Sequence, residues 1–192
     1  GMQRSVDKSG LTETDKFPAD PESGYGWSKL IGDIEYALLC KSNGVTYTNL
    51  DLHNVYGSPC DFNPATAQVI PSLIYKALTS EQLVIWGNGE QGRAFVEVRD
   101  VAAAILAAID LDMGGSYMIG PNSCTTINGV VELLLGNAKV KAKTVVKDLS
   151  QPVGDIGRYY CGSAAHRNLG WIPKISIEQG LSDLVEYIEK RI

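Results

Sequence analysis

Hydrophobic and polar positions along the chain switch repeatedly between a helical period and an extended one. From Trp27, apolar residues at 27, 30, 31, 34, 37 and 38 form the stripe of an amphipathic helix, and Asn43-Gly44 supplies its stop. Val45 to Val55 (VTYTNLDLHNV) is rich in β-branched and aromatic residues and reads as one strand, broken by YGSP. Pro71 suits the first turn of a helix reaching about Leu78. Short strands follow at Leu83 to Trp86 and at Ala94 to Arg99, and Asp100 is placed to cap the helix VAAAILAAID. Tyr117 to Ile119 is extended, Thr126 can cap a helix through Leu135, and Thr144 to Lys147 is strand-like again. SIEQ at 176–179 has the form of a capping box opening the last helix, whose Leu181, Leu184, Val185 and Ile188 fall on one side. Residues 10–24 (GLTETDKFPADPESG) read as a polar loop. No internal repeat or low-complexity tract interrupts this order, so the chain is expected to be α/β from end to end.

Composition narrows the function classes. With 192 residues the chain can bury a real core, as one ordinary domain or two small ones. A hydrophobic content of 44% with 20% charged residues is that of a globular protein. The net charge of −5 argues against nucleic acid as the main partner, because phosphate-backbone binding rests on Lys and Arg. Cysteines 40, 60, 124 and 161 form no C-x-x-C pair, and only two histidines accompany them, so no metal site is expected and a reduced, cytoplasmic chain is the default. No apolar run approaches a membrane span and no signal-peptide pattern opens the chain.

Two stretches raise candidate chemistry. WGNGEQGRAF, residues 86–95, holds glycines at 87, 89 and 92 in G-x-G-x-x-G spacing. A dinucleotide seat needs strand, tight turn and then helix, because the helix N-terminus supplies the N–H groups for the phosphates. Here strand composition lies on both sides, so the glycines are expected to form a hairpin loop. The second stretch is YGWSK, residues 25–29. Tyr25 and Lys29 stand i, i+4 and share a helix face. An ammonium beside a phenol favours the phenolate, whose unperturbed pKa is near 10, and so suits general-base work. The bland alternative is an exposed tyrosine in a first helical turn.

The order of blocks extends this reading. YGWSK opening a helix is followed by a strand, HNVYGSP, VIPSLI, IWGNGEQGRAFVEVRDVAAAI, YMIG with a Thr-capped helix, GDIGR, and LGWIP before SIEQGL. From about Leu11 to Ile192 this order resembles the extended short-chain dehydrogenase/reductase family, and in it the NAD-dependent nucleotide-sugar epimerases and dehydratases. HNVYG, WGNGEQGRAF and GDIGR look closest to GDP-sugar enzymes such as GDP-mannose epimerases. The resemblance implies that Tyr25 exchanges a proton with a sugar hydroxyl as hydride moves to or from the nicotinamide. By the same token Lys29 tunes Tyr25 and binds the nicotinamide ribose, and Leu52 and His53 present backbone alongside the nicotinamide. Asn54 would bond the sugar nucleotide's phosphate region, Arg93 and Arg158 would pair with its diphosphate, and Trp86 would line the nucleobase pocket. Without the resemblance, Arg93 reads as a solvated turn charge, Asn54 as a turn cap, His53 as a packing position and Trp86 as plain core.

The chain also departs from the family pattern. A glycine-rich loop after a first strand, an acid for the adenosine ribose and several parallel strands are expected ahead of residue 11, and none is found there. Ser5 is the nearest candidate for the expected catalytic Ser or Thr. Asp51 stands where an arginine is usual, Ala94 where a small polar or acidic residue is usual, and Gly162 where an aspartate often occurs. The expected fold is therefore an incomplete Rossmann-type arrangement: the C-terminal strands and catalytic helix, plus a small α/β substrate-binding subdomain. Residues 1–59, with 91–110 returning to them, would form the Rossmann remnant, and 60–192 mainly the sugar-nucleotide subdomain. A chain of this kind is expected to be inactive alone for want of a full NAD site, and to form a homo-oligomer that buries the Trp27–Leu38 stripe. The alternative is a non-redox sugar-nucleotide-binding or assembly module.

Overall fold

The computed structural model describes residues 10–21, 23–151, 159–160 and 163–192. Ser5, Arg158 and Gly162 lie outside the described residues. Among the described residues four of the five strand pairs are parallel, and helices fill connections between them, as an α/β fold requires. Strand β1 (Gly10–Leu11) pairs with β10 (Tyr159–Tyr160), β2 (Thr48–Leu52) with β7 (Gly115–Ile119), and β3 (Asn54–Tyr56) with β6 (Phe95–Glu97). Strand β4 (Gln82–Trp86) pairs with β9 (Thr144–Asp148), and the short β5 (Gly92–Arg93) runs antiparallel to β8 (Thr125–Thr126). The helices are α1 (Gly24–Ser42), α2 (Val69–Thr79), α3 (Val98–Leu111), α4 (Ile127–Leu135), α5 (Ser163–Leu169) and α6 (Ile177–Glu189).

Local chemistry explains most boundaries. Ser23 caps α1 by accepting the Gly26 N–H, and Gly44, at φ +63°, lets the chain leave beyond Asn43. Thr126 caps α4 through Gly129 N–H, and Ser176 caps α6 through Gln179 N–H, as the sequence pattern predicts. The apolar side of α6 is fully used: Leu181, Leu184, Val185 and Ile188 are all buried, each contributing about 1.5–3 kcal/mol. They join α2, α4, Leu83 and Ile85 of β4, Tyr56 and Phe95 in one core cluster. A second cluster lies under α3 and α5, with Val96, Tyr117, Ile119 and Trp171.

Four expectations need correction. The glycine stretch is not a hairpin, because β4 before it pairs with β9 while β5 and β6 after it pair with β8 and β3. The strand expected over 45–55 is two strands broken at His53. His53 N–H bonds Ile119 O, the last residue of β7 that β2 can reach, and from Asn54 the chain pairs with β6 instead. Asp100 is not the cap of α3. Glu97 is, its carboxylate accepting the Arg99 N–H, and Asp100 is buried in the first turn. The polar loop at 10–24 contains β1 and a short 3₁₀ helix, Glu13–Lys16, held by Asp15 on the Thr12 N–H and by Glu13 on the Met118 N–H.

Helix α1 stands apart energetically. Among its large apolar residues only Leu30 is buried, while Trp27, Ile31, Ile34 and Leu38 are 40–62% exposed. The predicted stripe is therefore an open face. No described helix is long and apolar enough to cross a membrane.

Candidate functional site

Three of the sequence candidates meet in one cavity of about 440 Å³: Asn54, Trp86 and Arg93 all line it. Each arrives from a different element. Asn54 opens β3 opposite Phe95, and Arg93 lies in β5 opposite Thr125. Trp86 ends β4, where Leu83 and Ile85 point into the core and Val84 and Trp86 point away from it. Trp86 is thus 54% exposed and not a core residue.

The glycine turn sets where Trp86 and Arg93 stand. Gly87 and Gly89 have φ of +68° and +81°, a region that disfavours any side chain. Gly89 also lies against the Asn128 side chain, and a Cβ there would come within 2.9 Å of Ile85 Cδ1. The first amides of α4 are spent on this turn: Asn128 N–H bonds Gly89 O at 2.9 Å and Ile127 N–H bonds Gln91 O at 3.0 Å. A helix N-terminus does serve the G-x-G-x-x-G segment, but it binds the segment's own carbonyls rather than a phosphate. Gln91 Nε2 closes the turn on Trp86 O at 3.0 Å.

Arg93 brings a cation to the cavity wall, its Nη1 donating to Gly92 O at 2.6 Å. Burial pushes the neighbouring Cys124 thiol up, against a downward pull from the Arg93 guanidinium. A second cation, Lys76, lines the same cavity with Gln68 and Ser72. Ser72 and Lys76, spaced i, i+4, form a polar edge on α2, and Gln68 is the residue just before the helix. That spacing was visible in the sequence and is the one signal that could have named Lys76. Gln91 also lines the cavity, and nothing in its local pattern distinguishes it.

Tyr25 and Lys29 form a separate pair. They share a face of α1 as the spacing predicts, with Lys29 Nζ 5.4 Å from the Tyr25 ring centroid, a cation–π arrangement. Tyr25 is 68% exposed, and neither residue lines the Asn54 cavity. Leu52 ends β2 with its side chain exposed, and His53 is half-buried. His53 Nδ1 lies 2.8 Å from Asn54 Oδ1 and 2.9 Å from Asn54 N, so the ring packs onto the residue that enters the cavity.

A buried charge cluster went unforeseen. Lys16 Nζ lies 2.8 Å from Asp33 Oδ2 and 2.7 Å from Asp51 Oδ2, with all three side chains largely or wholly buried. The contact to Asp51 is ionic rather than a well-aimed hydrogen bond, since no described donor points at that oxygen. Tyr47 donates to Asp33 Oδ1 at 3.0 Å and Asn49 to Asp51 Oδ1 at 2.9 Å. Burial raises the Asp51 carboxyl although Lys16 and Asn49 oppose it. For Lys16, burial alone would lower the ammonium, but both carboxylates more than offset it. One cation shared by two buried carboxylates cannot fully neutralise both. Burial, then Asp33, pushes the Tyr47 phenol up to about 12.

Parallel strand pairs joined by helices place the chain in the α/β class, with a cationic, Trp-edged cavity and a separate Tyr–Lys pair on α1. The chain belongs to the NAD dependent epimerase/dehydratase family, whose model matches residues 3–120. It is similar to the UDP-glucose 4-epimerase of Thermotoga maritima solved with UDP-glucose, at a TM-score of 0.83 and 31% identity over 97% of this chain and 59% of that one. It is also similar to GDP-L-fucose synthase 1 of Arabidopsis thaliana, 30% identical over 72% of this chain and 44% of the relative. A third relative is GDP-mannose 3,5-epimerase of the same plant, 25% identical over 95% of this chain and 48% of the relative. The chain spans about half the length of the curated relatives it matches, 57% and 42% of two of them.

Proposed function

We propose that this chain serves an NAD-dependent epimerase or dehydratase acting on a nucleotide-diphosphate sugar. In this reading the Asn54–Trp86–Arg93 cavity holds the nucleotide diphosphate. The convergence of those three residues, with Lys76, on one cavity is the observation that carries the reading. Guanidinium and ammonium suit diphosphate oxygens, an exposed indole suits a nucleobase face, and an amide can bond either phosphate or sugar. Residues 60–192 would supply most of this binding side.

The reacting end is assigned to Tyr25, with Lys29 one turn on. As the phenolate, an exposed tyrosine can take a proton from a sugar hydroxyl and, as the phenol, return it, while the Lys29 ammonium can donate to ribose hydroxyls. The exposed Leu52 at the C-terminal edge of the β2–β7 pair, together with His53, fits a nicotinamide lying across the strand ends. NAD bound there would accept and return hydride. Asn54 and Arg93, on the strand ends beside it, would hold the nucleotide while the sugar reacts. The exposed α1 face supports assembly of copies through Trp27, Ile31, Ile34 and Leu38. Sedimentation at micromolar concentration is expected to give an oligomer, and a clean monomer would count against that interface.

Isothermal titration with UDP, GDP and NAD, each alone, tests the function. Binding of UDP or GDP together with NAD supports the enzyme reading. Binding of a nucleotide diphosphate without NAD favours a non-redox sugar-nucleotide module. Binding of neither UDP nor GDP removes the cavity assignment.

A further inference from the structure

We propose that Lys16 is a positioning residue that fixes α1 against β2 through the buried Asp33–Lys16–Asp51 bridge. The proposal rests on the reading of Tyr25 and Lys29 as the reacting pair. Three chain segments meet at this bridge: the 3₁₀ turn at Glu13–Lys16, the middle of α1 at Asp33, and β2 at Asp51. Helix α1 has few other ways to hold its place, because Leu30 is its one buried large side chain. Most helices are located by an apolar face pressed on a core, and α1 turns that face outward. Its register on the sheet therefore depends on polar contacts, and the described ones are Lys16 on Asp33 Oδ2 and Tyr47 on Asp33 Oδ1.

The bridge is placed to matter for the site. Asp33 follows Lys29 by one helical turn, so a shift of Asp33 along β2 carries Tyr25 and Lys29 with it. Asp51 precedes Leu52, His53 and Asn54, the strand-end residues assigned to the nicotinamide and the substrate. Lys16 thus ties the segment bearing the phenol to the segment bearing its expected partners. Position 51, where the family resemblance expects an arginine, holds a carboxylate, and the cation reaches it from residue 16 instead. Removing that cation leaves two buried carboxylates facing each other with no compensation, which drives the helix and strand apart.

Hydrogen exchange followed by mass spectrometry tests this directly. In Lys16→Met, amides in peptides covering 24–42 are expected to exchange at least about tenfold faster, while those in α2, α4 and α6 change by less than about twofold. Lys16→Arg, which keeps a cation able to reach both carboxylates, is expected to restore protection of α1. Should Lys16→Met not fold, the Lys16→Met/Asp51→Asn pair removes one of the two carboxylates and their mutual repulsion, and its α1 peptides should still exchange fast. Unchanged protection of α1 in both Met variants overturns the proposal. Equal loss of protection in every helix also overturns it, because that is the signature of general stability. These readouts need no nucleotide, so a failure of the bridge is told apart from a failed titration with UDP or GDP, which bears on the cavity assignment.

Discussion

Replacing Arg93 by alanine is expected to weaken UDP or GDP binding about 100-fold while leaving the fold intact. The strand pair β5–β8 rests on backbone bonds and should survive removal of the side chain. A guanidinium donating two parallel bonds to diphosphate oxygens contributes roughly 3 kcal/mol, since charge-assisted bonds are worth about 1.5–3 kcal/mol each and tenfold in affinity corresponds to about 1.4 kcal/mol. Arg93→Lys keeps the charge but not the planar fork, and should recover only part of the loss. Titration calorimetry at one fixed ionic strength checks both variants, with thermal unfolding alongside as the control for the fold. An Arg93→Ala protein that binds UDP and GDP as tightly as the parent would remove the diphosphate from this cavity.

Periodicity and capping chemistry carried much of the fold. The stripe at 181, 184, 185 and 188 and the Ser176 cap were legible because both are local, and α6 buries that stripe as the pattern predicts. Strand pairing was not legible. LVIW and AFVEV look like the two arms of a hairpin by composition, yet β4 takes its partner from residues 144–148 and β6 from residues 54–56. Composition says that a segment is extended and buried, and it does not say beside what. The break at His53 has the same cause, since it marks a change of partner inside a uniformly β-favouring run. For the site, Asn54, Trp86 and Arg93 were named through the block order, and the structure brings them to one cavity. Lys16 stayed hidden because its burial depends on carboxylates 17 and 35 positions away (33 − 16 and 51 − 16), with no periodic mark in a stretch rich in charge. Arg158 lies outside the described residues.

Asp100 to alanine is expected to cost roughly 3–5 kcal/mol of stability. Its carboxylate is buried, and Oδ2 alone accepts two backbone amides, Lys174 N–H at 3.0 Å and Ile175 N–H at 2.9 Å. Those amides precede α6 and follow Trp171, whose Nε1 donates to the Asp100 carbonyl at 2.8 Å. One residue in the first turn of α3 thus fixes the whole entry to α6. Alanine leaves both part-buried amides without their acceptor, at about 1–3 kcal/mol each, and opens a small void beside them. The indole bond to the backbone survives, so the loss belongs to the carboxylate. Asp100→Asn retains one side-chain oxygen without the charge and should lose about half as much. Urea denaturation is the measurement, with the midpoint expected to fall and the slope to stay constant. The loss should also reach nucleotide binding only through the folded fraction, because Asp100 does not line the cavity. An Asp100→Ala protein within about 1 kcal/mol of the parent would mean that water or another acceptor takes up both amides. The approach to α6 would then be held by the Leu181–Ile188 face and the Ser176 cap rather than by this carboxylate.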